Sequence, residues 1–166
     1  EKKEEKTNIV ESNKNTTKTG KQTLIYLDRS DLVRFDNENL PDIQVLIGNG
    51  VLRHDDVYLY CDSAYLNQNT NSFKAFGNVK IEQGDSIEIY SKRLNYNGNT
   101  RIGHLFHNVK MINGEVTLYT DTLVYDRNKS LGYYKCGGKL VDSLNTLPSK
   151  HGYYYSNTKL AEFRYD

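Results

Sequence analysis

Four histidines and two cysteines are the residues of this 166-residue chain whose chemistry would most readily serve catalysis or metal binding. His104 and His107 lie three apart, which puts them on opposite faces of a regular strand and not around one ion. His54 stands beside Asp55 and Asp56 in a stretch that reads as a turn, and His151 follows Lys150. All four read as solvated loop residues, with no metal site. Cys61 and Cys136 form no C-x-x-C pair, so zinc-ribbon and redox-motif readings lack support. They read as small buried or half-buried thiols, and a disulfide needs the fold to bring two rungs together. No Ser-His-Asp arrangement, phosphate loop or metal-ligand spacing is visible, which points to a non-enzymatic protein without a cofactor.

The composition narrows the partners. Twenty-two basic residues balance 21 acidic ones for a net charge of +1, against the basic excess typical of nucleic-acid binders. A local basic patch for an anionic lipid is compatible with that balance. No apolar run approaches the roughly 20 residues of a membrane-spanning helix. Fourteen Tyr against five Phe and no Trp suit half-exposed sheets, and two Pro leave long strand ladders uninterrupted. No signal peptide is visible, and the sequence opens at Glu1 without a Met, which fits a mature or trimmed chain.

The elements that position these residues read as strands. Residues 1–20 are dominated by Lys, Glu, Asn and Thr and are expected to form a polar, flexible arm, leaving 21–166 as one β domain. From Lys21 the pattern has period 2, as in Ser86-Ile87-Glu88-Ile89-Tyr90, and no window shows a helical period. The chain also repeats itself. Phe76-Gly77-Asn78-Val79-Lys80-Ile81 matches Phe106-His107-Asn108-Val109-Lys110-Met111 at an offset of 30. Tyr60, Tyr90 and Tyr119 fall at offsets of 30 and 29, as do Ala64, Leu94 and Leu123. Tyr154 follows Tyr96 by 58, twice 29. Asn97-Gly98 and Asn113-Gly114 are two-residue turn signals, with Gly84-Asp85 in the equivalent place.

Ile87 and Ile89 are odd-numbered and Leu94 and Tyr96 even, so Tyr90-Ser91-Lys92-Arg93 must shift the phase by one through a bulge or corner. Units of 29–30 residues that cannot bury their faces alone must stack, which predicts an elongated, rolled or solenoid-like all-β sheet, open at the ends. Asp166 aligns with Asn108, so the chain is expected to stop on an uncapped rung, a chain boundary or a stacking surface. Asp62 and Asp121 share a repeat position with Lys92 and Lys150, which predicts a surface salt-bridge ladder and not the carboxylate cluster of a glycan-processing β-helix enzyme.

These repeats resemble the OstA-like family, which comprises the lipopolysaccharide-transport bridge protein LptA, the periplasmic part of LptC and the N-terminal part of LptD. The resemblance rests on Gly77-Asn78-Val79, Gly84-Asp85 and Tyr90-Ser91-Lys92-Arg93-Leu94-Asn95-Tyr96, and recurs in Asn108-Val109, Gly114-Glu115 and Tyr119-Thr120-Asp121-Thr122-Leu123-Val124-Tyr125. It covers roughly Gly48 to Asp166. The third entry departs from it as Cys136-Gly137-Gly138, and Pro148 and Gly152 stand where aliphatics are expected.

The resemblance implies a β-jellyroll whose apolar groove binds lipopolysaccharide or a related glycolipid, in a periplasmic or outer-membrane-associated protein. It also implies head-to-tail self-association and contact with other lipopolysaccharide-transport components. The groove would be lined by Val57, Leu59, Val79, Ile81, Ile87, Ile89, Leu94, Val109, Met111, Val116, Leu118 and Leu123. Basic residues near its mouth, Lys80, Lys92, Arg93, Arg101 and Lys110, are candidate contacts for lipid phosphates. Burying acyl chains contributes about 0.8 kcal/mol per CH₂, so retention needs no catalytic group. The alternative is a structural or adhesive repeat module with a closed core and Tyr60, Tyr90 and Tyr119 stacked outward.

Overall fold

The computed structural model describes residues 22–165; the N-terminal segment expected to form an arm lies outside them. The described residues form thirteen strands joined in one antiparallel sheet, and no helix. The first three are β1 (Tyr26–Arg29), β2 (Leu32–Asp36) and β3 (Leu40–His54). Then come five long strands: β4 (Val57–Asn67), β5 (Ser72–Gln83), β6 (Ile87–Asn97), β7 (Ile102–Asn113) and β8 (Val116–Asp126). The last five are short: β9 (Leu131–Tyr134), β10 (Gly138–Val141), β11 (Thr146–Ser149), β12 (His151–Tyr155) and β13 (Leu160–Arg164).

Every long strand bends once, and the bends line up. Pairing of β5 with β6 jumps between Phe76 and Val79, and pairing of β6 with β7 jumps between Tyr90 and Arg93. The same interruption recurs between Ile47 and Gly50 and between Phe106 and Val109. At these points Gly48-Asn49, Gly77-Asn78 and His107-Asn108 all have positive φ. Two successive left-handed residues turn the strand sharply, which explains the Gly-Asn signature: Gly reaches this conformation freely and Asn is among the residues that tolerate it best. The line of bends is a hinge that divides the sheet into two leaves. The first leaf holds β1, residues 50–54, 57–60, 79–83, 87–91, 109–113 and 116–120, β10 and β11. The second holds β2, residues 43–47, 63–67, 72–76, 93–97, 102–106 and 122–126, β9, β12 and β13.

The phase shift expected between Ile89 and Leu94 does its work here. Ile87, Ile89 and Ser91 are buried on one side of the hinge and Leu94 and Tyr96 on the other, so both leaves turn their apolar faces inward. One core runs through the roll, from Ile25 and Leu46 through Leu94 and Met111 to Leu140 and Tyr154. Where the Gly-Asn-Val entry is replaced by Cys136-Gly137-Gly138, the strand is broken into β9 and β10; β11 and β12 are likewise separate. Gly152 replaces an aliphatic because a Cβ there would collide with the ring of Tyr134.

Two local expectations change. Gly114 and Glu115 do form a two-residue connection, but Asn97-Gly98 opens a four-residue one, 98–101. Its last residue, Arg101, is left-handed, as are Asn71, Ser130 and Lys159 at the equivalent places. The salt-bridge ladder is also absent among the described residues. Asp62 accepts a hydrogen bond from Asn78 Nδ2 at 2.9 Å, and Asp121 lies 3.7 Å from His107 Nδ1. The acidic position therefore braces the hinge: a carboxylate on one strand holds the left-handed corner of the strand beside it.

Candidate functional site: the interior and its seam

The twelve aliphatics expected inside the roll are buried, except Val116, which is half-buried. Ten of them lie on the first leaf; Leu94 and Leu123 face them from the second, together with the buried Leu46, Leu66 and Leu105. Between them lies an apolar gap of about 30 Å³, bounded by Leu59, Phe73, Ile81, Leu94, Gly103 and Leu105 and by the seam residues His54, Tyr96 and Arg127. A gap of this size admits a few water molecules at most and is far short of an acyl chain. The interior is packed, and its long edge opposite the hinge is the route by which it could be widened.

That edge is a seam where strand ends of the two leaves meet, and only side chains cross it between the long strands. Its first half is charged. His54 Nδ1 lies 2.8 Å from Tyr96 Oη, and Arg127 Nη1 donates to Tyr96 Oη at 2.7 Å and to His54 Nδ1 at 3.1 Å. Arg127 Nη2 donates to Asp56 at 3.2 Å, and Arg101 Nε to Asp55 at 3.1 Å. Thr23, just before β1, joins the group: its hydroxyl lies 2.8 Å from His54 Nε2 and donates to Asp55. Because a guanidinium can only donate, His54 Nδ1 must accept, which places the imidazole proton on Nε2 facing Thr23. Burial pushes the His54 pKa down, and Arg127 and Arg101 push it the same way against the pull of Asp55. Burial pushes Asp55 up, but hydrogen bonds from Thr23 and Arg101 outweigh it and hold its carboxyl below the ordinary value.

The second half of the seam is neutral. Asn113 Nδ2 donates to Tyr154 Oη at 3.0 Å and to the carbonyl of Ser156 at 2.8 Å, and Tyr125 Oη lies 3.1 Å from Ser156 Oγ. The Leu-x-Tyr signature acquires its physical meaning at this edge. Tyr96, Tyr125 and Tyr154 bury their rings in the core and bring their hydroxyls to the seam.

His54 is thus a correction. It is no solvated loop residue but ends β3, 3% exposed, at the centre of the charged latch. His104 and His107 are exposed and His151 is half-buried. The missed signal was in the repeat: His54, Gln83 and Asn113 occupy one position at offsets of 29 and 30, visible only when unlike residues are aligned. Cys61 is buried and Cys136 exposed, both with free thiols; burial pushes Cys61 up to about 11.

The basic candidates are not gathered at the seam. Only Arg101 lies there, held by Asp55. Lys92 sits exposed on the hinge, and Arg93 lies next to it on the outside, 5.1 Å above the Phe106 ring. Lys80 and Lys110 point away from the interior, since Val79, Ile81, Val109 and Met111 beside them are buried. Tyr60, Tyr90 and Tyr119 also face outward, but lysines separate them, so they do not stack on one another.

A rolled, apolar-lined sheet of antiparallel repeats, bent once along each long strand, defines a β-jellyroll. The sequence profile of the OstA-like proteins matches residues 22–166, and the chain belongs to that family. Among solved structures it resembles LptH of Pseudomonas aeruginosa, the LptA-homologous periplasmic component of a lipopolysaccharide transport device. The TM-score is 0.54 at 20% identity, over 61% of this chain and 75% of that one, so the likeness is one of fold. No curated protein sequence matches the chain.

Proposed function

We propose that this protein is a non-enzymatic carrier that takes the acyl chains of lipopolysaccharide or a related glycolipid between its two leaves, in the periplasm. The observation that carries the reading is the seam. A largely apolar interior is closed along one edge by side-chain contacts, with no backbone ladder crossing between the long strands, so it can part without unpairing the strands of either leaf. Opening would expose facing rows of Val, Ile, Leu and Met suited to acyl chains. Membership of the OstA-like family and the shared fold with a lipopolysaccharide-transport component support the choice of lipid.

End-to-end assembly fits the same reading. Among the described residues, β1 and β2 at one end pair only with β3, and β11 and β13 at the other each have a single partner, so both ends present strand edges with no partner among those residues. Further copies of this chain or other transport components would add their strands there.

Photo-crosslinking with a lipopolysaccharide carrying a diazirine on one acyl chain tests the proposal without depending on any variant's folding. Adducts on peptides containing Ile89, Met111 or Leu118 are expected. Adducts confined to outward residues, or none at saturating lipid, would overturn it and favour a closed structural module.

A further inference from the structure

The outer face of the first leaf carries a row that the interior does not explain. Cross-strand registers place Tyr60, Lys80, Tyr90, Lys110, Tyr119 and Lys139 side by side on β4, β5, β6, β7, β8 and β10. With strands about 4.8 Å apart, this alternating comb spans roughly 24 Å. Lysine ammoniums sit over the phenol rings: Lys80 lies 5.9 Å from Tyr60 and 5.7 Å from Tyr90, and Lys110 and Lys139 lie 6.0 and 5.3 Å from Tyr119. The ring faces are therefore occupied, and what the comb offers outward is hydroxyls and ammoniums.

Its two ends differ in charge balance. Lys80 is ion-paired to Glu82 and lies 3.6 Å from Glu88, while Tyr60 and Tyr90 donate to the same carboxylates at 3.1 and 2.7 Å. That end is neutralised internally. In the register that holds Glu82 and Glu88, the next two strands carry Ile112 and Thr117. Lys110 and Lys139 consequently have no ion-pair partner among the described residues. They flank Tyr119, which is 37% exposed, in a depression of about 590 Å³ also lined by Val109, Asp121 and Pro148. Asp121 is engaged by His107 and by the backbone amide of Asn108.

We propose that Lys110, Tyr119 and Lys139 form a binding site for a phosphorylated sugar, separate from the interior. Two ammoniums and a phenol supply charge-assisted donors for one phosphate. The depression is larger than a bare anion needs, and the exposed ring of Pro148, beside Lys139 in the register, gives a sugar ring an apolar wall. A nucleic-acid strand fits less well, because the carboxylates of Glu82 and Glu88 interrupt the positive track two rungs away.

Backbone-amide NMR titrations of the whole chain with glucose 1-phosphate, glucose, inorganic phosphate and an eight-residue oligothymidylate test this site. Saturable shifts at Lys110, Tyr119 and Lys139 are expected with glucose 1-phosphate, at lower concentrations than with inorganic phosphate, and none with glucose. Lys110→Gln with Lys139→Gln should weaken the response about tenfold or more, whereas Lys80→Gln should leave it unchanged. Inorganic phosphate binding equally well, a larger response to the oligonucleotide, or equal losses from Lys80→Gln would each overturn the assignment.

Discussion

The roll has two long edges, and they are closed by different physics. Along the hinge the chain is continuous, and left-handed pairs such as Gly77-Asn78 fix each corner. Along the seam the leaves meet through Tyr96, Tyr125 and Tyr154 hydroxyls, two arginines and a few amides. The hinge is thus set by backbone conformation, with little freedom to yield. The seam consists of hydrogen bonds worth about 1 kcal/mol each, more where charged. The seam is therefore the edge at which the two leaves are more weakly joined.

The largest effect is expected from a change at the hinge. At Gly77 φ is +74°, and a Cβ would run into the carboxylate of Asp62, the same carboxylate that holds Asn78. Gly77→Ala should cost about 3 kcal/mol of unfolding free energy, from left-handed strain plus the displaced brace. Gly84, at φ +58° in a connection with open space around it, provides the comparison. Gly84→Ala should cost only about 1 kcal/mol. Urea denaturation of both variants checks the difference; equal costs would mean that the Asp62 brace contributes nothing.

Much of this architecture is legible in the amino-acid sequence. Period-2 alternation and the offset of 29–30 specified strands, their stacking and the buried set, because side-chain direction in a strand is fixed by parity. The phase jump between Ile89 and Leu94 located the hinge. The seam was not legible in the same way. His54 beside two aspartates looks like a solvated turn when read locally, and its neighbours Tyr96 and Arg127 are 42 and 73 residues away. Contacts across the roll join positions whose spacing in sequence reflects the radius of the fold, which no local pattern encodes. The placement of the basic residues was not legible for a related reason: parity assigns Lys80 and Lys110 to the outer face, but only the closed seam shows how far that face lies from the mouth.

A smaller effect separates the two halves of the seam. His54 is neutral and its folded pKa lies below the unfolded value of about 6.5, so the unfolded chain binds the proton more readily. The contribution of His54 is therefore complete above about pH 6.5 and is lost as pH falls from there toward the lowered folded value. Protonation would place an N–H at Nδ1, facing Arg127, with Asp55 the acidic neighbour on the other side. Stability should fall between pH 7.5 and 5.5, and His54→Gln should abolish most of that slope. Hydrogen exchange should quicken at the ends of β3 and β6 over the same interval. The Asn113–Tyr154 pairing has no group that titrates in this range and should not respond; uniform exchange along the seam would remove the distinction.

The smallest effect, at Gln83, tests the repeat itself. His54 meets Tyr96 across the seam, 42 residues on, and Asn113 meets Tyr154, 41 residues on. By the same offset the partner of Gln83 is Tyr125, but that hydroxyl is taken by Ser156, and Gln83 Oε1 is buried without a hydrogen-bond partner among the described residues. Gln83 therefore bears the desolvation of a latch residue without latching. A buried acceptor in that state is a net cost, and removing it relieves the cost without breaking a bond. Gln83→Leu should raise stability by about 0.5–1 kcal/mol, read as a shift of the urea midpoint at constant slope. Asn113→Leu, the same exchange at the equivalent position, should instead lower it by about 1–2 kcal/mol, since it strands Tyr154 and the Ser156 carbonyl. Opposite signs from one substitution at two equivalent positions would show that the seam holds at its ends and is slack in the middle, where an entering acyl chain would meet least resistance.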